Sequence, residues 1–211
     1  MLDPMGAMIW PAAGLLAVSD LHLEKGSSFA RKGMLLPPWD THATLDRLAL
    51  LLRRWQPRIV VALGDSFHDV DGSTRLPHSE AARLNAMTEA HRFIWVLGNH
   101  DPTPPSDIGG DWVEHFATDP IVFRHQAVAG ADPGEIVGHH HPKAAVAARG
   151  GTVSRPCFVV DGRRVMMPAF GTYTGGLDVR NPAIARLFPG GGRVFLLGRE
   201  RLYSFALGGM N

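Results

Sequence analysis

Asp20-Leu21-His22, Gly64-Asp65, Gly98-Asn99-His100-Asp101, His125 and Gly138-His139-His140-His141 are five segments rich in carboxylate, amide and imidazole donors. Hard and borderline divalent cations take such mixed oxygen and nitrogen donors, and two cations held close together need an anion between them. Each segment stands where an apolar run stops, and that is how a β-sheet brings donors from distant parts of a chain to one edge. Asp20 and His22 are two apart, so on a strand they face one side and can chelate one ion. Asp65 follows Ile59–Leu63 and a glycine that lets backbone approach closely; it is the natural bridge between two ions. Asn99 adds a neutral amide oxygen at the end of Phe93–Leu97. His139 and His141, again two apart, can present one imidazole to each ion if their loop bends. Taken singly, Asp-x-His and Gly-Asp read as surface turns, and His125 as an ordinary histidine. Taken in order, the five segments read as a site for two metal ions.

Those donors need a framework. Gly14–Ser19, Arg58–Leu63 and Arg92–Leu97 are apolar without alternation, the pattern of buried central strands. Further strands are expected at Pro120–Phe123, Glu135–Val137, Pro156–Val160, Val165–Pro168, Val194–Leu197 and Arg201–Phe205. A helix is expected over Asp40–Trp55, with Leu45, Leu48, Leu52 and Trp55 at helical spacing and Asp40 or Thr41 as N-cap. Arg53 and Arg54 suit the helix dipole in its last turn, and Pro57 stops it. A second helix is expected over Ser79–His91. Gly26–Pro38 and Pro102–Asp111 read as irregular, and Gly190-Gly191-Gly192 as a turn. The first half is β-α-β-α-β and the second mostly strands, which predicts an α/β sandwich of two packed sheets with helices outside.

The 211 residues suit one domain with a substantial core, and the 45% hydrophobic content supports it. Met5–Val18 is apolar but carries no basic leader and runs into Asp20, so it reads as a first strand or hairpin. No run reaches the roughly 18 apolar residues of a membrane span. With a lone Cys157, expected to be a buried strand residue, this points to a protein of the cytoplasm with no membrane partner. A formal net charge of +1 gives no global basic field, so any attraction for nucleic acid must be local. The number of subunits is not readable from the sequence.

In the order D-x-H, GD, GNH-D, H and GHxH, the segments from Asp20 to His141 resemble the calcineurin-like metallophosphoesterases. The resemblance implies a four-layer αββα sandwich, two mixed β-sheets flanked by helices. It implies two divalent metal ions, with manganese the expected metal and iron or zinc compatible with the same donors. The first ion would take Asp20, His22, Asp65 and His141; the second would take Asp65, Asn99, His125 and His139. His140 falls on the variable position and is left unassigned. Asp20-Leu21-His22-Leu23-Glu24-Lys25, Gly64-Asp65-Ser66-Phe67-His68-Asp69 and Pro168-Ala169-Phe170-Gly171 look like the bacterial ligase-associated DNA damage response endonucleases. That narrower resemblance implies DNA as substrate and a functional association with a DNA ligase and a helicase.

Two divalent ions and two carboxylates leave a positive cleft that attracts phosphate whatever the charge of the whole chain. His100, beside Asn99, is the expected acid for the leaving oxygen. Asp101 is expected either to orient its imidazole or to cap a turn before Pro102. His68 is expected to orient the site or touch substrate, with a solvated turn as the alternative. Lys25, Arg31 and Lys32 flank the first motif and could meet phosphates of a polynucleotide, although surface cations are their default explanation. Three functions compete: a phosphodiesterase or endonuclease acting on DNA in repair, a hydrolase of nucleotides or other small phosphoesters, and a non-catalytic metal-binding interaction module.

Overall fold

In the computed structural model, which describes residues 1–130 and 133–209, the first half of the chain forms a five-stranded sheet. Its strands are β1 (Met8–Trp10), β2 (Leu15–Val18), β3 (Ile59–Leu63), β4 (Arg92–Val96) and β5 (Asp111–Val113), neighbouring one another in that order. β1 and β2 form the expected hairpin, and β2 to β5 run parallel. Continuous apolar runs are required here because both faces of the central strands are covered. Leu16, Val18, Val60, Ala62, Phe93 and Trp95 face the helices. Their alternates Leu15, Ala17, Val61, Leu63, Ile94 and Val96 pack against the second sheet.

The helices on the outer face are α1 (Lys25–Arg31), α2 (Asp40–Trp55) and α3 (His78–Ala90). α2 buries Leu45, Leu48, Leu51 and Leu52 against the sheet, as its spacing predicts. The expected N-cap is corrected: Trp39 takes the cap position, without a side-chain cap bond. Asp40 and Thr41 instead turn sideways, Asp40 accepting from the Gly26 amide at 2.9 Å and Thr41 bonding Glu24. Those bonds hold α1 in a stretch that was expected to be irregular.

The second sheet contains β6 (His115–Thr118), β7 (Ile121–Arg124), β8 (Glu135–Val137), β9 (Lys143–Ala148), β10 (Gly151–Val160), β11 (Arg164–Met166), β12 (Arg193–Leu197) and β13 (Leu202–Ala206). Its order is β13-β12-β10-β11-β8-β7-β6, with β9 paired to β10. β7, β8 and β11 run parallel, so the sheet is mixed. Its outer face buries Val137, Cys157, Val159, Val194 and Leu196 beneath Ile184 of α4 (Pro182–Ala185) and the adjoining Val179 and Phe188. Among the described residues, the outer helical layer on this side is therefore one short helix and its flanking loops. Two mixed sheets between helical layers make the expected αββα sandwich. Among the described residues, no helix is long and apolar enough to cross a membrane.

Candidate metal centre

β2, β3 and β4 end side by side, and the chain beyond each end supplies Asp20 and His22, Asp65, and Asn99 and His100. The facing ends of β7 and β8 supply His125, His139 and His141. Asp20 and His22 do not lie on a strand, so the reason given for their shared side is corrected. Both adopt left-handed backbone, at φ of 53° and 43°, and so do Asp65 (46°), His139 (70°) and His141 (46°). Each such non-glycine residue costs roughly 1–3 kcal/mol, and strain of this kind gathers where side chains must be aimed at a common point. Two motif glycines are required for close approach. A Cβ on Gly98 would overlap the Asp65 amide and carboxylate, and one on Gly138 would overlap the Ser19 hydroxyl and the Asp20 carboxylate.

One donor group comprises Asp20, His22, Asp65 and His141, with ligating atoms all within 4.8 Å of one another. His141 Nε2 lies 3.1 Å from Asp20 Oδ1 and 3.3 Å from His22 Nε2. Burial pushes the Asp20 carboxyl up, but His141, His125 and the Ser19 hydroxyl outweigh it and hold the group below its ordinary value. Burial pushes the His22 imidazole down to about 3 against the pull of Asp20 and Asp65, so it presents a neutral nitrogen.

A second group comprises Asp65, His125 and His139, and shares Asp65 with the first. Asn99 joins it, its Oδ1 3.1 Å from His125 Nε2, and His139 Nδ1 lies 3.2 Å from the same nitrogen. His125 Nδ1 faces the Leu63 carbonyl at 3.0 Å, so the proton there fixes Nε2 as the atom turned to the site. Asp65 divides its oxygens. Oδ1 accepts from the His100 amide at 2.9 Å, while Oδ2 lies 3.4 Å from His125 Nε2 and 3.9 Å from His22 Nε2. Burial disfavours charge on His125, yet the Asp65 hydrogen bond and the nearby Asp20 and Asp65 charges carry its imidazole up to about 9. Mixed imidazole, carboxylate and amide donors around one shared carboxylate oxygen fit two divalent ions.

His100 and His68 stand beside the first group. Their rings stack with centroids 5.3 Å apart, and both meet His22 edge-on. The expected orienting role of Asp101 toward His100 is corrected. His100 Nδ1 faces the His68 carbonyl at 2.8 Å, which leaves Nε2 turned to the site, 3.9 Å from Asp65 Oδ2. Asp101 is buried and accepts from the amides of Ser66 (2.7 Å), Phe67 (3.2 Å) and Gly98 (3.0 Å). It clamps the Asp65 loop to the Asn99 loop. Burial pushes its carboxyl up to about 6, against those amides and in concert with the Asp65 charge.

His68 lies in the site, its Nδ1 3.4 Å from His22 Nδ1, and burial with the nearby Lys25 and His100 charges pushes it down to about 4. Lys25 opens α1 half-buried, close enough to act on His68. Arg31 stands at the far end of α1, where it pairs with Asp71 at 3.2 Å on the surface. Sequence reasoning missed Ser19, which donates to Asp20, and Gln126, whose Nε2 lies 3.5 Å from Asn99 Oδ1. Adjacency to Asp20 and His125 was the signal for both.

The family model described as calcineurin-like phosphoesterase matches residues 14–158. The structure is similar to that of the Pseudomonas putida nuclease MPE, with a TM-score of 0.71 and 27% identity over 96% of this chain and 94% of that one. It is also similar, at a TM-score of 0.43 and 14% identity, to YfcE, a phosphoesterase from E. coli, over 92% of this chain and 98% of that one. No curated protein matches the sequence.

Proposed function

The chain belongs to the calcineurin-like phosphoesterase family, a metal-dependent hydrolase, and from that premise we propose that it is a dinuclear phosphodiesterase that cleaves DNA in repair. The observation that carries the dinuclear reading is Asp65, whose Oδ2 stands between two donor groups. The DNA reading is supported by the similarity to the P. putida nuclease along nearly the whole chain. The repair setting, with a ligase and a helicase as functional associates, rests on the motif resemblance.

Asp20, His22, Asp65 and His141 would hold one ion, and Asp65, Asn99, His125 and His139 the other. Bound divalent cations supply Lewis acidity toward the phosphoryl oxygens and activate a water for attack. Manganese is the proposed metal. The remaining work falls to the chain. Asp65 fixes the distance between the donor groups, and the Leu63 carbonyl sets the tautomer of His125. The His68 carbonyl aims His100 Nε2 at the site, where it gives a proton to the leaving oxygen as its bond to phosphorus breaks.

The test is a panel of single-stranded DNA, duplex DNA, cyclic nucleotides and aryl phosphodiesters with added manganese. Cleavage of DNA together with the aryl diester is expected. Turnover confined to cyclic nucleotides or aryl esters transfers the function to small phosphoesters, and no turnover leaves a binding module.

A further inference from the structure

Asn99 and His100 are neighbours in sequence whose side chains part company. His100 turns to His68 and the first donor group, whereas Asn99 turns to His125 and the second. Beyond Asn99 lies a cavity of 380 Å3, lined by Glu114, His115, Arg124, Gln126 and Val128 along with Asn99 and His125 themselves. It opens from the donor group opposite the leaving-group acid, and its volume suits one nucleoside. Its wall is mixed in chemistry. Arg124 is cationic, Gln126 both donates and accepts, His115 offers an exposed ring, and Glu114 accepts. Among the described residues the ion-pair partner of Arg124 is Glu135, 3.2 Å from Nε, in a geometry that makes no hydrogen bond. Glu135 is also gripped by Arg164, at 2.6 Å to Nε and 2.5 Å to Nη2, so two guanidinium groups share one carboxylate. Of the three, only Arg124 lines the cavity, so its guanidinium is the cation there, beside the carboxylate of Glu114.

We infer that this cavity is a nucleoside subsite. It holds the part of a phosphodiester that stays on phosphorus after cleavage, with Arg124 fixing it. The inference rests on the phosphodiesterase reading and adds a direction to it. The leaving alkoxide departs on the His68–His100 side, and the retained nucleoside monophosphate lies on the Asn99 side. Water's oxygen bonds to phosphorus as the bond to the leaving oxygen breaks; that oxygen takes its proton from His100, and the proton the water gives up passes to solvent, from which His100 is reprotonated. Arg124 and Gln126 donate to sugar or base oxygens, and Glu114 accepts from base N–H groups.

Substrates that share one leaving group isolate the retained part. The manganese-loaded full chain is to be assayed on the thymidine 5′- and 3′-(p-nitrophenyl phosphate) isomers and on methyl p-nitrophenyl phosphate. At least one thymidine ester should show KM about tenfold below that of the methyl ester, the value of one good charged hydrogen bond. Arg124→Gln should erase most of that advantage, and Val128→Phe, which narrows the cavity from an exposed wall, should do the same. Metal content of each variant is measured alongside. An equal KM for thymidine and methyl esters in the native chain overturns the subsite. So does a proportional loss on all esters in Arg124→Gln, which would make Arg124 a prop for His125 and Glu135, or an unchanged advantage in Val128→Phe. Failure of the native chain to turn over any ester would instead sink the phosphodiesterase reading itself.

Discussion

His100 has a single nitrogen for chemistry, because the other is held by a backbone carbonyl. A general acid matters most when the leaving oxygen is basic. His100→Ala should therefore keep its metal and lose about 10²–10⁴-fold in turnover of alkyl diesters, with a much smaller loss on p-nitrophenyl esters. Equal losses on both would remove the acid role. Asp101 has a different duty. Three backbone amides depend on its carboxylate, so Asp101→Ala should lower unfolding free energy by about 1–3 kcal/mol. Asp101→Asn, which keeps one accepting oxygen, should lose less. Denaturant titration of the two variants measures the difference, and an unaltered midpoint in Asp101→Ala would contradict the clamp. The identity of these residues was legible in the sequence, since Gly-Asn-His-Asp is a dense polar run. Their division of labour was not, because which neighbour orients an imidazole depends on a loop brought from Asp65, 35 positions away.

At the scale of elements, the site is a set of strand ends pressed together until side chains and backbone touch. Gly98 shows how tight this is, since a single methyl there would displace Asp65. Gly98→Ala should weaken metal binding by at least about tenfold, or roughly 1.4 kcal/mol, while β2, β3 and β4 keep the molecule folded. Equilibrium dialysis with manganese and circular dichroism together test this, and unchanged affinity would show that the loop has slack. β2, β3, β4 and α2 were readable because burial on two faces, or on one helical stripe, leaves an unmistakable apolar pattern. α1 was not, for its Gly26, Ser27 and Ser28 have little helical preference and the helix exists through the bonds of Glu24 and Gly26 to α2. β9 was missed as well. Its Lys143–Ala148 is alanine-rich, and pairing with β10 makes it a strand where local propensity favours a helix.

At the scale of the molecule, left-handed backbone at five ligating residues is stored cost, and charge supplied by bound ions offsets it. A chelator should therefore lower the unfolding temperature. At a free metal concentration 100 times Kd, binding adds about 2.7 kcal/mol per site to the folded state. Calorimetry with and without manganese checks it, and identical transitions would mean that the donors hold no ion. The two-sheet architecture was legible from the order of apolar runs, but the thin outer layer over the second sheet was not. Val179, Ile184 and Phe188 cover it from a segment with almost no periodicity. The account rests on Asp65 shared between two cations, and anomalous diffraction from crystals grown with manganese addresses that directly. Two peaks are predicted about 3.5–4 Å apart. Asp65 Oδ2 should lie between them, with Asp20, His22 and His141 around one and Asn99, His125 and His139 around the other. A single peak, or two that do not share Asp65, would contradict it.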